Sequence, residues 1–488
     1  MKTKLQIAIL FICILSSCAE KSNINHPEIE IKAKWNNANY GNQSTKFSAN
    51  SFTHKEWWKS FNDKNLNQII ELAIKENLDH KLAIARIREA RADKRSSSAE
   101  LTPQLNLLES TSSTKNIKSP TSTKRYNLFD SSIDASKRYN LFDSSIDASK
   151  RYNLFDSSID ASWEIDLFNT QSYIIESKDH ILNSYLYDRN KILLTLISDI
   201  IINYTDYLKY KKLININIKR SNAHKHMLDL VTAKHLSGIS SELEFAQEKA
   251  QYLKVNSDVL ALNTELKKSR HSIETLCGIQ AGTSSLFQDS NDEISIPNQK
   301  IIVNAPIEVI RNRPDIKKAE YELLSATSLA KSAITEQYPK LLLLGSLGLQ
   351  NSSISGTTEA WGIGQSIVAP ILNFKSIRAN INVKEAQEEQ AFLKYQKSVL
   401  GVIEEVESNM AEYYNSTKSY DLLEAARDSR KKSLELTKHL YENKTNSYHS
   451  VLNAETDIYD SEEDLANIAS TLVKASVKMY KSLGYNVI

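Results

Sequence analysis

Proline is missing from Thr121 to Ile296 and again from Ile371 to Ile488, and the 488 residues hold only 8 Pro and 11 Gly. Proline removes a helix hydrogen bond and clashes with the preceding turn, and glycine costs about 1 kcal/mol in a helix. Two long helical regions are therefore the first reading. Asn169 to Leu236 contains neither residue, and at about 1.5 Å per residue it could run about 100 Å. Lys375 to about Asn443 matches it, broken only by Gly401. A helix of that length cannot bury itself in a compact domain and has to pack against others in a bundle or tube. Near the C-terminus, Val451, Ile458, Leu465, Leu472 and Met479 are spaced by seven, with Ala454, Ser461, Ile468 and Ala475 three further on. Large residues on one line and mostly small ones on the next describe a coiled-coil seam with close helix approach.

The chain also contains a diverged two-fold repeat. At a shift of 236 residues Ala83 falls on Ala319, Ala90 on Ala326, Glu100 on Glu336, Pro103 on Pro339 and Leu107 on Leu343. Each half reads as an Ala-rich helix, a proline that ends it, and an extended apolar segment. Further on, Ser237 to Gln247 parallels Asn443 to Asn453 at a shift of only 206, so the first half has gained 30 residues. A perfect tandem repeat accounts for 26 of them: the thirteen residues beginning at Lys124 recur at Lys137 and Lys150, ending at Ser162. In the last copy Phe155, Ile159, Ala161 and Trp163 alternate with Leu154, Asp156, Ser158, Asp160 and Ser162. A half-buried soluble strand and a membrane-barrel strand with its apolar face to lipid both fit this alternation.

The N-terminus carries basic Lys2 and Lys4, an apolar stretch too short to span a bilayer, and then "LSSC". Leucine, two small residues and cysteine resemble the lipobox of bacterial lipoproteins. That resemblance implies cleavage before Cys18, acylation of Cys18 and, with Ala19 following, passage to the outer membrane. Taking Lys2 and Lys4 from 61 basic residues leaves 59 against 59 acidic ones, a balance that argues against a nucleic-acid binder, which needs a phosphate-neutralising excess. Of three cysteines Cys13 leaves with the signal and Cys18 is acylated, so Cys277 has no disulfide partner.

Together "WWKSFNDKNLNQIIELAIKENLD" (Trp57 to Asp79), "WEIDLF" (Trp163 to Phe168), "RNRPDIKKAEYELLSATSLAKSAITEQYP" (Arg311 to Pro339), "EEVES" (Glu404 to Ser408) and "MYKSLGYN" (Met479 to Asn486) resemble the TolC-like outer-membrane efflux proteins, in the lipoprotein branch serving resistance-nodulation-division pumps. The resemblance implies an α+β membrane protein: a trimeric transmembrane β-barrel with four strands per chain, continued by a long α-helical periplasmic barrel or coiled coil, the two halves being its internal repeat. The expected layout is a signal peptide at 1–17, a polar linker at 18–55, a first repeat at 56–295 and a second at 296–488. The strand pairs are expected at about 104–168 and 340–373, the helical hairpins at about 169–277 and 375–484. Expected partners are a homotrimer, a periplasmic adaptor protein, an inner-membrane pump and outer-membrane lipid. The implied function is passive export of drugs or other small toxic solutes, with no enzyme activity and no cofactor. Opening would come from helix movement at the two helical turns.

Carried onto this sequence, the resemblance puts a periplasmic aperture at Glu244, Tyr441, Ser450 and Asn453. The helix-turn tips for adaptor docking fall at Gly238, Ser241, Lys444 and Ser447. The sequence departs from the family in four places, the first being "PILNFK" (Pro370 to Lys375) where the second strand pair normally ends in a Pro-Leu-Phe-like stretch followed by glycines. The second turn has Lys444 where the first has Gly238, Asn446 stands where some relatives carry an aperture-locking arginine, and the acidic ring becomes neutral Ser450 and Asn453. Glu244 keeps a carboxylate that the Tyr441 hydroxyl could reach; the alternative is an ordinary solvated helix-turn acid. Two other functions stay open: a type I protein secretion outlet, or a coiled-coil structural lipoprotein without a pore. No P-loop, dinucleotide fingerprint, HExxH or CxxC occurs. "HKH" (His224 to His226) places its histidines about 200° apart on a helix, which points to a solvated face and not a metal site. Trp57 and Trp58 suit packing of the entry segment, and "ILLTLIS" before Asp199 suits a helical wall.

Thirteen is odd while strand side chains alternate with period two, so a continuous strand would turn Phe142, Ile146 and Ala148 to the opposite face from Phe155, Ile159 and Ala161. The two extra copies are therefore expected in a longer hairpin or loop at the outer end of the first strand pair, where insertions are tolerated. Deleting Lys124 to Ser149 should leave a heat-resistant trimer on gels and efflux in cells unchanged; loss of assembly contradicts this reading.

Overall fold

The structure, a computed structural model, describes Lys32, Trp35 and residues 56–115, 151–284, 287, 293–297, 301, 303, 305–352 and 356–484. The signal peptide, Cys18 and the first two copies of the thirteen-residue unit lie outside the described residues. After a 3₁₀ turn at Trp57–Phe61 the elements are α1 (Lys64–Glu76), α2 (Leu78–Ala99), β1 (Gln104–Lys115), β2 (Arg151–Ile165), α3 (Thr170–Leu236) and α4 (Glu242–Leu276). Then follow α5 (Pro306–Asn312), α6 (Pro314–Thr335), β3 (Lys340–Ser352), β4 (Gly356–Val368), α7 (Phe374–Glu442) and α8 (Tyr448–Ser482). The order helix, strand pair, long helix, shorter helix occurs twice, with long helices of 67 and 69 residues and shorter ones of 35 each. None of the helices among the described residues is long and apolar enough to cross a membrane.

The chain divides into two compact units. One comprises residues 79–189 and 318–391 and contains the antiparallel sheet β1-β2-β3-β4. Its helices meet through small side chains: Ser177 and Ser325 share a hydrogen bond of 2.7 Å, and Ser184, Ser328, Ala330 and Ala333 are buried. Short side chains bring backbones close, and polar ties then fix their positions. Lys94 donates to Asp179 at 2.6 Å, Lys318 to Asp188 at 2.9 Å, and the Thr327 hydroxyl to Glu388 at 2.8 Å. The passage from strand to helix is built by "WEIDLF": Asp166 accepts from the backbone N–H groups of Gln171 and Ser172, satisfying donors that the start of α3 would leave orphaned. Phe168 stacks on Tyr338 at 4.7 Å, and the Trp163 indole N–H donates to the Leu101 carbonyl at 2.8 Å.

The other unit comprises residues 1–78, 190–317 and 392–488 and holds the main core. Leu194, Leu196, Ile197, Ile200 and Ile201 of α3 pack with Ile69, Ile70, Val399, Val406, Val473 and Val477, and Leu193 is buried beside them in sequence, so the "ILLTLIS" run is core. Trp57 and Trp58 are buried there, and Trp57 stacks on Tyr480 at 4.8 Å. Trp35, from the segment that reads as a polar linker, is 6% exposed in the same core. Val451, Ile458, Leu472, Ser461, Ala475 and Met479 are buried on α8, which is the seam drawn by the heptad spacing.

Three separate sequence motifs converge in this unit on Arg313. Its guanidinium grips Asp315 with two hydrogen bonds of 2.9 and 2.7 Å, donates to the Ser482 carbonyl at 2.8 Å and lies 2.7 Å from Glu405. Gly484 is required beside it, because its φ is +70° and a Cβ would lie 2.8 Å from Arg313 Cγ. Burial pushes the Asp315 carboxyl up, but the hydrogen bonds and charge of Arg313 outweigh it and hold it below its usual range. A carboxyl depressed in the folded state stabilises fully above its unfolded value, near 3.8, and loses that contribution as pH falls through the lower folded value. Arg313→Ala should cost about 3–5 kcal/mol by leaving two carboxylates beside an emptied site, and Arg313→Lys should recover only part of it. Thermal unfolding followed by circular dichroism in detergent checks both. The wild type should lose more stability than Arg313→Ala on acidification below pH 4.

Candidate channel wall and aperture

The sheet register decides which side chains share a face. Leu341 faces Ile165 and Ile367; Leu343 faces Trp163 and Gln365; Ala161 lies between Leu105 and Gly345, which faces Ile363; Ile159 lies between Leu107 and Leu347, which faces Trp361. These rows make one almost wholly apolar face, and it is uncovered: Trp361 is 77% and Ile363 86% exposed, with Leu105, Leu107, Ile159 and Leu347 also exposed. From Ile367 to Trp361 the band is about 20 Å tall at roughly 3.4 Å per residue. The next row ends it with Glu109 and Glu359. The opposite face, at the same height, is mixed: it carries Asn106, Ser158, Asp160, Ser346 and Gly348 together with Leu108, Leu342 and Leu344. The apolar face is thus the uncovered one and the face bearing Asp156 and Asp160 the more enclosed, the inverse of a soluble half-buried strand. Phe155 and Ile159 of the last thirteen-residue copy, and Trp163 just after it, lie on the uncovered face.

In the other unit the two helical turns have one geometry. Ser241 and Ser447 are the N-caps of α4 and α8, accepting from the N–H groups of Glu244 at 3.2 Å and Ser450 at 3.3 Å. At the preceding helix ends, Ile239 N–H donates to Lys234 and Thr445 N–H to Leu440, both at 2.9 Å. This closure needs a left-handed residue just past the helix. Gly238 supplies it at φ +70° and Lys444 at φ +59°, where a side chain costs about 1–2 kcal/mol. The turn keeps its shape despite the lysine because the capping bonds on both sides are made.

Of the aperture residues, Glu244 is exposed and accepts the Ser240 hydroxyl at 2.5 Å. Tyr441 packs edge-on against Tyr448 with ring centroids 5.7 Å apart. The contact anticipated between Tyr441 and Glu244 is not among those the single chain makes. Ser450 is half-buried with its hydroxyl 3.1 Å from that of Ser447, and Asn453 is exposed.

The reading of "HKH" as a solvated face needs correction. His224 is buried, with Nδ1 2.7 Å from Glu248 Oε1, while Lys225 and His226 are exposed. The residues two apart do diverge, but one of them meets α4 at Glu248 while the other stays in solvent. Glu248 was not legible as its partner, since it lies 24 residues away on the next helix. A second buried acid, Glu274, closes the end of α4. Burial pushes its carboxyl up, but bonds from the Ser284 hydroxyl, the Gly282 N–H and Arg270 outweigh this and hold it below the usual range. Cys277 is free and buried, and burial pushes its thiol up to about 11.

A family model described as outer membrane efflux protein matches residues 69–279 and 305–485. Nodulation protein T of Rhizobium leguminosarum bv. trifolii is 24% identical over 484 residues, 98% of this chain and 96% of that protein. The pyoverdine export outer membrane protein OpmQ of Pseudomonas aeruginosa is 23% identical over 432 residues, 88% and 87% of the two chains. The solved outer membrane channel CmeC of Campylobacter jejuni has the same fold, with a TM-score of 0.80 at 22% identity over 95% of this chain and 94% of that one. With its inverted sheet, paired helical turns and motifs all in place, the chain belongs to the outer membrane efflux protein family.

Proposed function

We propose that this outer-membrane efflux channel works as a passive trimeric conduit, each chain giving four strands to a shared barrel and its long helices to a periplasmic tube. The observation that carries this reading is Asp160 on the polar face of the sheet, at the height of the exposed Leu105, Leu107 and Ile363 on the other. Lipid beside the apolar face requires a water-filled space behind the carboxylate, because an ionised group at membrane depth survives only beside water or a partner. Among the described residues one chain has a four-stranded sheet with two open edges, β1 and β4. Open edges are not tolerated in lipid, and closure by further copies removes them. Three copies make twelve strands, within the range of outer-membrane barrels.

In this reading Cys18 anchors the chain to the membrane, and a periplasmic adaptor docks at the turns around Gly238, Ser241, Lys444 and Ser447. An inner-membrane pump supplies the energy. Opening is a movement between two arrangements of the helices, with Glu244, Tyr441, Ser450 and Asn453 at the aperture. The cargo is a drug or another small toxic solute. The recurring order of elements supports the two halves as an internal repeat.

The purified protein should run as a heat-resistant trimer and conduct ions in planar bilayers; a trimer that never conducts supports a tether instead. Deleting the gene should sensitise cells to drugs or metals while leaving exoproteins secreted; the reverse pattern supports a protein secretion outlet. Glu244→Ala should change the single-channel conductance, and unchanged conductance and ion selectivity would remove Glu244 from the aperture.

A further inference from the structure

Strand β2 is built from the last of three identical segments, and its pairing with β1 does not tell them apart. Every residue of β1 pairs within the third copy, from Gln104 with Ser162 to Lys115 with Arg151. Set one or two units back, the same register would pair Gln104 with Ser149 or Ser136, and Lys115 with Arg138 or Arg125. Each cross-strand pair would keep its residue types and each side chain its face. β3 distinguishes no better over most of its length, since Leu154 to Ser162 pair with Ser352 to Leu344. The hydrophobic pattern ordinarily specifies strand register, and here that pattern has three equal solutions.

The distinction begins at Trp163. The third copy is followed by Trp163, Glu164 and Ile165, whereas each of the first two is followed by lysine, arginine and tyrosine, at 137–139 and 150–152. The Trp163 indole N–H donates to the Leu101 carbonyl at 2.8 Å, which ties β2 to the chain just past α2. Glu164 lies 3.1 Å from Lys340 Nζ at the start of β3, and Ile165 faces Leu341. In a slipped register Lys137 or Lys150 would take the place of Trp163, on the uncovered apolar face and with no indole to reach Leu101. Arg138 or Arg151 would take the place of Glu164 beside Lys340. An ion pair would become a meeting of like charges, which destabilises neighbouring strands. Asp166, which caps α3 through Gln171 and Ser172, would be left thirteen residues or more from the end of the strand.

We infer that Trp163 with Leu101, and Glu164 with Lys340, form a register lock that selects the third of three otherwise equivalent segments as β2. The lock lies outside the repeat. Copies of the unit can therefore be added or lost while the sheet keeps the same strand, the same register and the same junction to α3. The chain between β1 and β2 is then free to change length in steps of thirteen residues. The inference uses the register of a single chain and depends neither on the trimer nor on a pore.

Disulfide trapping in the full-length protein reads the register, because residues directly opposite on paired strands lie within reach of a disulfide. Glu109 faces Ser157, and the same place in the second and first copies is Ser144 and Ser131. Glu109→Cys should cross-link readily with Ser157→Cys and several-fold less with Ser144→Cys or Ser131→Cys. Trp163→Lys with Glu164→Arg writes the residues that follow the first two copies onto the third. It should raise the cross-link to Ser144→Cys several-fold at the expense of Ser157→Cys. Lys340→Glu should shift it the same way to a smaller extent, and adding Glu164→Lys, which restores the pair in reverse, should shift it back. If the Trp163→Lys, Glu164→Arg protein folds poorly, deleting Lys124 to Ser149 from it removes the competing copies and decides. Recovery of folded protein in the outer-membrane fraction supports the lock, whereas a defect of the same size without the extra copies is local damage and overturns it. Cross-linking that no variant changes, or wild type that cross-links equally through two copies, overturns it as well.

Discussion

One sheet with its apolar side bare sets the terms for the rest of the molecule. Trp361, Ile363 and Leu105 stand exposed on one face while Asp156 is enclosed on the other, and no arrangement in water favours that. The hydrophobic effect disfavours the first face and desolvation the second. In a bilayer the apolar face is satisfied while the carboxylate face still needs water, and the backbone adds a stricter demand: every N–H and C=O at membrane depth needs a partner. Four strands leave two edges without one. In the proposed trimer, lipid on one side, water on the other and neighbours at both edges come together in one shared barrel.

The helices face a different constraint. Chains of 67 and 69 residues without a break expose far more backbone length than a local core can hold. Their stability comes from two kinds of contact. In the unit bearing the sheet, serines and alanines bring the helices close and hydroxyl and ion-pair bonds fix them. In the other unit, isoleucines, leucines and valines form a conventional core, and Arg313 ties the start of α6, the middle of α7 and the end of α8 to one guanidinium. Its planar fork can serve a carboxylate and a carbonyl at once, which a lysine ammonium cannot do with the same directionality. Residues distant in sequence, in "RNRPD", "EEVES" and "MYKSLGYN", thus act as one joint.

The candidate aperture was legible in the sequence only in outline. Ser241 and Ser447 announce themselves as caps by residue type, and Gly238 as the left-handed residue after a helix. Lys444 gives no such signal: its φ of +59° is imposed by the capping bonds around it. The partners of exposed side chains were less accessible still. Glu244 takes the serine four residues before it and Tyr441 takes Tyr448, choices made by rotamers that no spacing rule determines. His224 shows the limit most clearly, because helical geometry separates it from His226 but cannot say which of the two faces a neighbouring helix. Trp35 likewise sits in a polar stretch and is buried all the same, its burial decided by a core assembled from segments hundreds of residues away.

What the sequence determined by itself was everything that depends on local periodicity. The absence of proline dictates long helices, the heptad dictates a seam on α8, and the alternation around Ile159 dictates a two-faced strand, since side-chain direction follows from backbone geometry alone. What only the tertiary structure decided was the environment of each face. Pairing β2 with β1 and β3 placed Asp156 beside Gln350 and left Ile159 uncovered; bringing α6, α7 and α8 together gave Arg313 its partners. Periodicity says which residues point the same way, but what they meet depends on elements brought near by the fold.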